Sequence, residues 1–341
     1  MANSNSDKNK DRLMKKVGVV YFKESGNVGD DVQTLCMVEL IQRLDPKVQI
    51  ELVDRESLNN AATANLDGLI VNGWFMDKPQ NWPPNNSKIL FVSMHINSQN
   101  GASQIMQKPD FLGFYKNYEP IGCRDKGTRD RFRALGIQAY FSGCATLTLK
   151  ARPRKKEKEG LLAIDPFYKV VNNRKYQMWR LKQLISKKEL ANCELLSNDS
   201  PGLVDLDTNV RLANARKYVN RIADASCVIT SRIHAALPAL AVETQVIFID
   251  AGYDRSPEYR DRFDGIIDFF NVIDGDNFRF VGRSLIAKIK RALLLDKLFD
   301  NQSRHKVLIE ARADRGEQSK GGVQRIQKEI EGTVKKFLTS L

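Results

Sequence analysis

The sequence has few of the residues that mark metal centres, disulfide scaffolds or membrane spans. It contains three histidines, and its five cysteines form no C-x-x-C pair, so the pattern predicts neither a zinc site nor a disulfide framework. No apolar run approaches the ~18 residues that a membrane-spanning helix needs. Residues 1–15 are polar and rich in lysine, without the apolar core of a signal peptide. We interpret them as a disordered leader and expect a cytoplasmic protein.

The sequence also has fewer acidic than basic residues. The 54 Lys and Arg residues exceed the 41 Asp and Glu residues, which gives a formal net charge of +13. Such an excess favours an anionic partner, which is a nucleic acid, an acidic membrane surface or a phosphorylated small molecule. The sequence contains no helix-turn-helix, RNP motif or aromatic platform within a basic stripe. The prediction is therefore a phosphorylated substrate or an anionic lipid surface, without nucleic acid.

Strand and helix patterns alternate along most of the chain, which predicts βαβ units and a mainly parallel sheet. The predicted strands cover residues 17–22, 48–53, 68–71, 89–94, 120–123, 138–141, 161–164, 193–196, 227–230 and 245–249. The predicted helices cover residues 31–44, 126–135, 176–187, 210–223 and 235–242. The chain is long enough for two cores. We expect an α/β protein with two Rossmann-like, doubly wound domains that face a cleft.

A charged segment without apolar side chains other than Pro153, at residues 152–158, divides the alternating strands and helices into two halves. It leads to a division into an N-terminal Rossmann-like domain at 16–150, a basic linker at 151–159, a C-terminal Rossmann-like domain at 160–300 and a helical tail at 301–341. Within the second domain, Leu285 to Phe299 has apolar residues at helical spacing with Lys and Arg between them. Such a helix either packs against a core or rests peripherally on the inner face of the membrane.

The first predicted strand is followed by the loop ESGNVGDD. Its glycines, Gly26 and Gly29, let the backbone approach a ligand closely, and the N–H groups that open the next helix attract an anion. The G-x-G-x-x-G spacing of dinucleotide sites and the Lys-Ser/Thr pair of P-loops are both missing. Asn27 and Asp30 are candidate substrate residues, and the alternative is that Asp30 or Asp31 only caps the helix.

Arg124 and Asp125 follow another predicted strand at the start of a helix. The planar guanidinium of arginine binds a carboxylate or a phosphate through two parallel hydrogen bonds. Asp125 either pairs with Arg124 or caps the helix. The alternative is that Arg124 binds no ligand and forms only a surface salt bridge with Asp125.

Arg232 and His234 follow the predicted strand at 227–230, at the edge where open α/β sheets bind ligands. Arg232 offers a second anion contact, and His234 is able to exchange protons near neutral pH. A histidine early in a helix is often structural. An arginine from each domain together with this histidine instead predicts a small dianionic substrate in the cleft.

These blocks resemble, in this order, the polysaccharide pyruvyl transferase family. The resemblance rests on GNVGD at 26–30, on CRD followed by Thr128, and on SRIHA at 231–235, which is the most specific block. It implies two domains of the GT-B type and transfer of a pyruvyl group from phosphoenolpyruvate to a sugar as a ketal. It also implies that Arg124 and Arg232 bind the carboxylate and phosphate of the donor and that His234 is the acid/base residue.

The same resemblance places the reaction in the synthesis of a capsule, exopolysaccharide or cell-wall polysaccharide, with a sugar acceptor that is free or lipid-linked. No cofactor or metal is expected. The chain departs from the family at NGWF after the third strand and at SGCA after the sixth, where relatives have a glycine-rich turn and a Gly-Asp-Pro type of turn. These departures concern the acceptor, for which Trp74 and His95 are candidate contacts; both residues also fit a packing role.

Two other functions fit the same features. A nucleotide-sugar glycosyltransferase shares the architecture, because a fold does not determine a function. A non-catalytic basic protein that binds nucleic acid or anionic lipid fits the charge alone. Stabilisation by UDP or GDP, without an effect of phosphoenolpyruvate, would favour the first alternative, and steeply salt-dependent DNA binding would favour the second.

Overall fold

The computed structural model describes residues 14–75, 82–96, 109–153, 158–170, 173–253, 256, 260–275, 279–281 and 317–341. In these residues the chain forms two six-stranded sheets, each flanked by helices. The helices are α1 (Val28–Leu44), α2 (Ala61–Ala64), α3 (Pro109–Lys116), α4 (Lys126–Ala134), α5 (Arg174–Leu181), α6 (Lys187–Ala191), α7 (Thr208–Asp224), α8 (Ile233–Ala241) and α9 (Glu317–Ser340).

The first sheet is entirely parallel and has the order β2-β1-β3-β4-β5-β6. Its strands are β1 (Lys16–Tyr21), β2 (Gln49–Asp54), β3 (Gly68–Phe75), β4 (Ile89–Ile96), β5 (Ile121–Cys123) and β6 (Ala139–Phe141). The strand order reverses between β1 and β3. In a doubly wound sheet the ligand crevice opens outside the carboxyl ends of the strands at this point.

The second sheet has the order β12-β11-β10-β9-β7-β8, and β12 alone is antiparallel. Its strands are β7 (Glu159–Ile164), β8 (Cys193–Leu196), β9 (Ala225–Thr230), β10 (Gln245–Asp250), β11 (Asn271–Asp274) and β12 (Arg279–Val281). The order reverses between β7 and β9, so the loops after these two strands border the second crevice. The predicted fold class, two doubly wound α/β domains, is confirmed.

Most predicted elements lie within a few residues of the observed ones, with two exceptions. The predicted helix at 176–187 is wrong at its end, because α5 stops at Leu181 and Ser186 begins α6 with a capping box to Glu189. Such a reciprocal pair of hydrogen bonds starts a new helix. The prediction also missed the short helices α2 and α3 and the short strands β11 and β12. The helix predicted at Leu285 to Phe299 lies outside the described residues.

The two domains share a continuous apolar core. One cluster of buried side chains includes residues of both sheets, among them Val19, Ile70, Ile164, Val228 and Phe248. Helix α1 of the first domain contacts α7 and α8 of the second. Because apolar surface is buried between the domains, their separation would expose it to water at a cost in free energy.

The C-terminal helix α9 returns to the first domain. Lys15 Nζ donates to Leu338 O at 2.6 Å, Gln327 Nε2 donates to Leu147 O at 2.6 Å, and Arg43 pairs with Glu331 at 3.0 Å. In the described part of the chain, no helix combines the length and apolarity that crossing a bilayer requires.

Candidate active site

Asn27 determines where α1 begins. Its side-chain oxygen accepts from Gly29 N at 2.9 Å and caps the helix, so the alternative in which Asp30 or Asp31 is the cap is wrong. The helix therefore starts at Val28, and both aspartates lie in its first turn, where the helix dipole favours negative charge. Asp30 is held within the loop, because Ser25 Oγ donates to it at 2.6 Å and Gln33 Nε2 donates to it at 3.0 Å.

The glycine loop of the first domain reaches the second domain. Val28 N donates to Asn198 O at 2.9 Å, and Ser200 N donates to Gly26 O at 2.7 Å. A Cβ at Gly29 would lie 2.8 Å from His234 Cβ, closer than side chains approach one another. Glycine is therefore needed at 29 so that the loop can touch the Arg-Ile-His motif.

Arg211 of α7 holds the same loop from the second domain. Its guanidinium pairs with Asp31 at 2.7 Å and donates to the carbonyl oxygens of Phe22 and Ser25 at 3.0 and 2.8 Å. The Arg211 and Asp31 side chains are 2% and 5% exposed. A buried charge pair of this kind is stable only with its remaining hydrogen bonds satisfied, and these carbonyls satisfy them. We name this group the interdomain clamp: Arg211, Asp31, Phe22 and Ser25.

Arg232 lies at the switch point of the second sheet, but its charge is already paired. Its Nε donates to Asp165 Oδ2 at 2.9 Å, its Nη2 donates to Asp199, and its Cζ lies 3.3 Å from the centre of the Tyr168 ring. Asp165 has a φ of 42°, a sparsely populated conformation that is often found at functional sites. The role of Arg232 as a direct donor contact stays a prediction.

A kink in α8 sets the direction of His234. The backbone of His234 has a φ of −83° and a ψ of 16°, outside the helical range, although helix surrounds it. Pro238, four residues later, has no N–H to donate to the His234 carbonyl, and its ring would clash with that carbonyl in a regular helix. The proline therefore accounts for the kink. Pro238 is visible in the sequence, so this kink could have been predicted from it.

His234 is half-buried, and its Nε2 is enclosed without a hydrogen-bond partner in the described residues. Burial lowers the pKa of His234 well below its usual value, and the positive charges of Arg124, Arg262 and Arg232 lower it further. The imidazole is therefore neutral at physiological pH when the site holds no anion. An anion bound nearby would reverse the effect of these arginines on its pKa.

Arg124 is the most deeply buried charge of the site, with 1% of its side chain exposed. Its Nε lies 3.5 Å from Asp125 Oδ2, and neither Nε nor Nη2 has a hydrogen-bond acceptor among the described residues. Burial lowers the pKa of the Arg124 guanidinium, and Asp125 opposes this shift. Since arginine stays protonated in proteins, the site holds a buried cation with two donors that lack acceptors.

Asp125 caps α4, which was one of the alternatives from the sequence, and it also binds His95, which was not predicted. Its Oδ1 accepts from Thr128 N at 2.8 Å, and its Oδ2 lies 2.7 Å from His95 Nδ1. Burial opposes ionisation of Asp125, but contact with His95 and Arg124 holds the pKa of its carboxyl below the usual range. Burial lowers the pKa of His95 to about 3, against the opposing effect of Asp125. The pair is thus a neutral imidazole beside a carboxylate.

The second domain covers the start of α4, which follows Asp125, with the segment Asp261–Phe263. A Cβ at Gly127 would lie 2.4 Å from Asp261 Cβ, Lys126 N donates to Asp264 O at 3.0 Å, and Arg131 pairs with Asp261 at 2.6 Å. The next residue, Arg262, lies close enough to lower the pKa of both His95 and His234. Arg262 was not predicted as a site residue, because no predicted strand ends directly before it.

Trp74 lies beside His95 in the register of β3 and β4. It is half-buried, and Arg55 donates to its carbonyl oxygen at 3.1 Å while the Arg55 Cζ lies 5.4 Å from the ring centre. This distance allows a cation–π contact. Trp74 thus has a packing partner, and its contact with an acceptor stays a prediction.

The structure brings Arg124, His95 and His234 to one site between the carboxyl ends of the two sheets, with Asp30 and Arg232 at its border. Burial raises the pKa of Asp30, and the charges of Arg55 and Arg124 oppose that shift, which places Asp30 near Arg124. No group of three or more potential metal ligands occurs in the residues that the structure describes. The arrangement is a cationic site with two neutral imidazoles, suited to an anionic substrate and to proton transfer.

Comparison with family models gives a match over residues 27–253 to the family described as polysaccharide pyruvyl transferase. The match covers about two thirds of the chain and includes the first block except Gly26, and the other two blocks entirely. A search of the curated proteins finds no significant match.

Several solved structures are similar to the chain at low sequence identity. An uncharacterized protein from Klebsiella pneumoniae, KP1_0663, has 15% identity and a TM-score of 0.43, over 73% of this chain and 88% of that one. A putative UDP-N-acetylglucosamine 2-epimerase from Listeria monocytogenes has 12% identity and a TM-score of 0.42, over 94% and 97%. The E. coli heptosyltransferase WaaC with ADP has 11% identity and a TM-score of 0.31, over 84% and 98%. At such values nothing about the function of this chain follows from them.

Proposed function

Because the chain belongs to the polysaccharide pyruvyl transferase family, we propose that it transfers the pyruvyl group of phosphoenolpyruvate to a sugar as a ketal. The observation that carries this proposal is Arg124, a buried guanidinium with two donors that have no acceptor among the described residues. Asp125 balances part of its charge from 3.5 Å, but buried donors without acceptors are costly. Phosphoenolpyruvate has a carboxylate and a phosphate, and either group supplies two acceptors at the spacing of a guanidinium.

The reaction needs one proton delivered to carbon. Protonation of the methylene carbon of phosphoenolpyruvate makes the methyl group and gives oxocarbenium character to the neighbouring carbon. Two sugar hydroxyls attack that carbon in turn, and phosphate leaves. Of the two hydroxyl protons, one replaces the proton given to carbon and the other leaves with phosphate. A positioned acid/base side chain is needed for these transfers, and we assign the protonation of carbon to His234.

A neutral His234 has to gain a proton before it can act as an acid. The arginines that lower its pKa are the groups that the donor would neutralise. Binding of phosphoenolpyruvate therefore raises the pKa of His234 in this proposal, so that the acid forms only when the donor is bound. Arg232, paired with Asp165 and Asp199, orients the start of α8 in this proposal.

We place the acceptor beside Trp74, and the net charge of +13 suits an acceptor carried on a lipid diphosphate. Synthesis of a capsule, exopolysaccharide or cell-wall polysaccharide in the cytoplasm, with peripheral contact to the inner face of the membrane, belongs to the same proposal. The proposed chemistry assigns every proton transfer to side chains and substrates, so no cofactor or metal takes part in it.

Phosphate release tests this function directly. The full chain would be incubated with phosphoenolpyruvate and a panel of p-nitrophenyl hexosides and N-acetylhexosaminides, and the product would be analysed by mass spectrometry. Phosphate release coupled to a pyruvyl ketal on at least one sugar supports the proposal. Stabilisation by UDP or GDP, with neither turnover nor stabilisation by phosphoenolpyruvate, would contradict it and favour a nucleotide-sugar glycosyltransferase.

A further inference from the structure

His95 and Asp125 form a second acid/base unit in the site. The His95 ring is 2% exposed and its Nδ1 lies 2.7 Å from Asp125 Oδ2, while the Asp125 side chain is fully buried. Asp125 is fixed in turn, because its other oxygen accepts from Thr128 N at the start of α4. An ionised carboxylate at this distance keeps the proton of a neutral imidazole on Nδ1. The lone pair of Nε2 is then left to accept a proton.

The elements around His95 leave only Nε2 for a substrate. On the Nδ1 side are Asp125 and Thr128, whose Oγ1 lies 3.1 Å from the ring nitrogen. The charges that act on the ring from elsewhere are those of Arg124, at the end of β5, and Arg262, on the segment that covers α4. Among the described residues none forms a hydrogen bond with His95 Nε2, and His95 acts electrostatically on His234. Both imidazoles therefore belong to one site.

Ketal formation involves four proton transfers, one to the methylene carbon, two from the hydroxyls and one to phosphate, and a second acid/base group can share them with His234. When the first hydroxyl attacks the oxocarbenium carbon, the new C–O bond forms and the O–H bond breaks, and its proton needs an acceptor. That moment falls just after His234 has given its own proton to the methylene carbon. Departure of phosphate then needs a proton on the leaving oxygen, and the second hydroxyl must lose its proton as well.

We propose that His95, oriented by Asp125, is the base that accepts the proton of the first attacking hydroxyl through Nε2. This inference rests on the proposed function. The imidazolium that forms is stabilised by the Asp125 carboxylate and passes its proton to the departing phosphate oxygen. The proton of the second hydroxyl goes to His234, which by then is neutral. Both histidines thus return to their starting states, and all protons of the reaction are accounted for.

A merely structural role for the pair has to be separated from a catalytic one. His95 also joins β4 to α4 through Asp125, so its removal is expected to lower stability in either case. Asp125→Asn provides the matched variant, since the asparagine oxygen can still cap α4. Its amide would donate to Nδ1 and move the imidazole proton to Nε2, which removes the base without removing the ring.

The experiment measures phosphate release from phosphoenolpyruvate with the p-nitrophenyl glycoside that the wild type uses fastest. In His95→Ala and Asp125→Asn, kcat should fall by about 10²–10⁴-fold. The Kd of phosphoenolpyruvate from calorimetry should change by less than about threefold in His95→Ala, whereas Asp125→Asn also removes the carboxylate 3.5 Å from Arg124 Nε. Added imidazole should restore part of kcat in His95→Ala and none in Asp125→Asn. His234→Ala should also lose turnover, and adding Asp125→Asn to it should not restore the activity.

Three outcomes would overturn the inference. Turnover of His95→Ala close to that of the wild type would exclude His95 as the base. Loss of turnover in parallel with loss of donor affinity, and without imidazole rescue, would show a positioning role alone. If the wild type releases no phosphate with any glycoside, the proposed function itself fails, and the assignment of His95 fails with it.

Discussion

The Cβ position of Gly29 lies 2.8 Å from His234 Cβ, so the first loop of one domain meets the proposed acid of the other. The contact has no space for a methyl group. Nearby, Val28 N and Gly26 O are hydrogen-bonded to the second domain, so the loop cannot retreat easily. The position of His234 therefore depends on a glycine in the other domain.

Gly29→Ala is expected to displace His234. A misplacement of about 1 Å at a reacting group lowers turnover by about 10²-fold, and we expect a loss of that order in phosphate release. Gly113→Ala is the control, because no atom lies within 4 Å of a Cβ placed at Gly113. Wild-type turnover in Gly29→Ala would show that the contact does not position His234.

Pro238→Ala separates activity from stability. Alanine would restore the hydrogen bond to the His234 carbonyl and relieve the clash, so α8 should straighten. We expect the free energy of unfolding to rise by about 1–2 kcal/mol, less than the full cost of a mid-helix proline because the unfolded chain gains freedom. Turnover should fall because the imidazole changes direction. Urea unfolding and phosphate release measure the two effects, and unchanged turnover would contradict our account of the kink.

The interdomain clamp is expected to contribute strongly to stability. Removal of one member, as in Arg211→Met or Asp31→Asn, leaves a buried charge without its partner and should lower the free energy of unfolding by about 3–5 kcal/mol. The double variant should lose less than the sum of the two. Urea unfolding would measure all three variants.

The exposed pair Arg221 and Glu194 serves as the control for the clamp. Its side chains are 56% and 39% exposed, and the loss of an exposed pair costs about 0–1 kcal/mol. Additive losses at Arg211 and Asp31, each no larger than that of Arg221→Met, would contradict a stabilising clamp.

Donor binding is expected to take up protons. The free site holds the pKa of His234 well below its usual value through burial and three arginines, and an anionic donor would raise this pKa. The bound state then binds more protons than the free state, so donor affinity should fall as the pH rises through the raised pKa. Calorimetry in buffers of different ionisation enthalpy should show uptake of up to ~1 proton per chain. Equal uptake in His234→Gln would assign the proton to another group.

The sequence pattern predicted the parts of the site that follow strands. His95 and Arg124 lie at strand ends and His234 lies four residues after one, and periodicity alone places such residues at the carboxyl edge of their sheet. The partners of these residues depend on tertiary contacts. Asp165, which pairs with Arg232, belongs to a different βαβ unit, and the pairing of His95 with Asp125 joins two elements 30 residues apart.

The cover over α4 could not be predicted for a related reason. Arg262 lies on a short turn in the second domain, and its effect on both histidines results from domain packing at Gly127. At the start of α1, three neighbouring residues are able to cap the helix, and Asn27 rather than Asp30 or Asp31 does so. Asparagine and aspartate are about equally good at this position, so composition alone did not choose between them.

Calorimetric titration of phosphoenolpyruvate into the wild type and Arg124→Met tests the central claim most directly. If the buried guanidinium holds the donor, the wild type should bind and the variant should lose about 2–3 kcal/mol of binding free energy, the value of a charged hydrogen-bonding contact. The melting temperature of the variant should be equal or lower, since the buried Asp125 carboxylate loses the guanidinium that lies 3.5 Å away. Equal affinity of the two proteins, or no binding to the wild type, would contradict the assignment of Arg124 as the donor site.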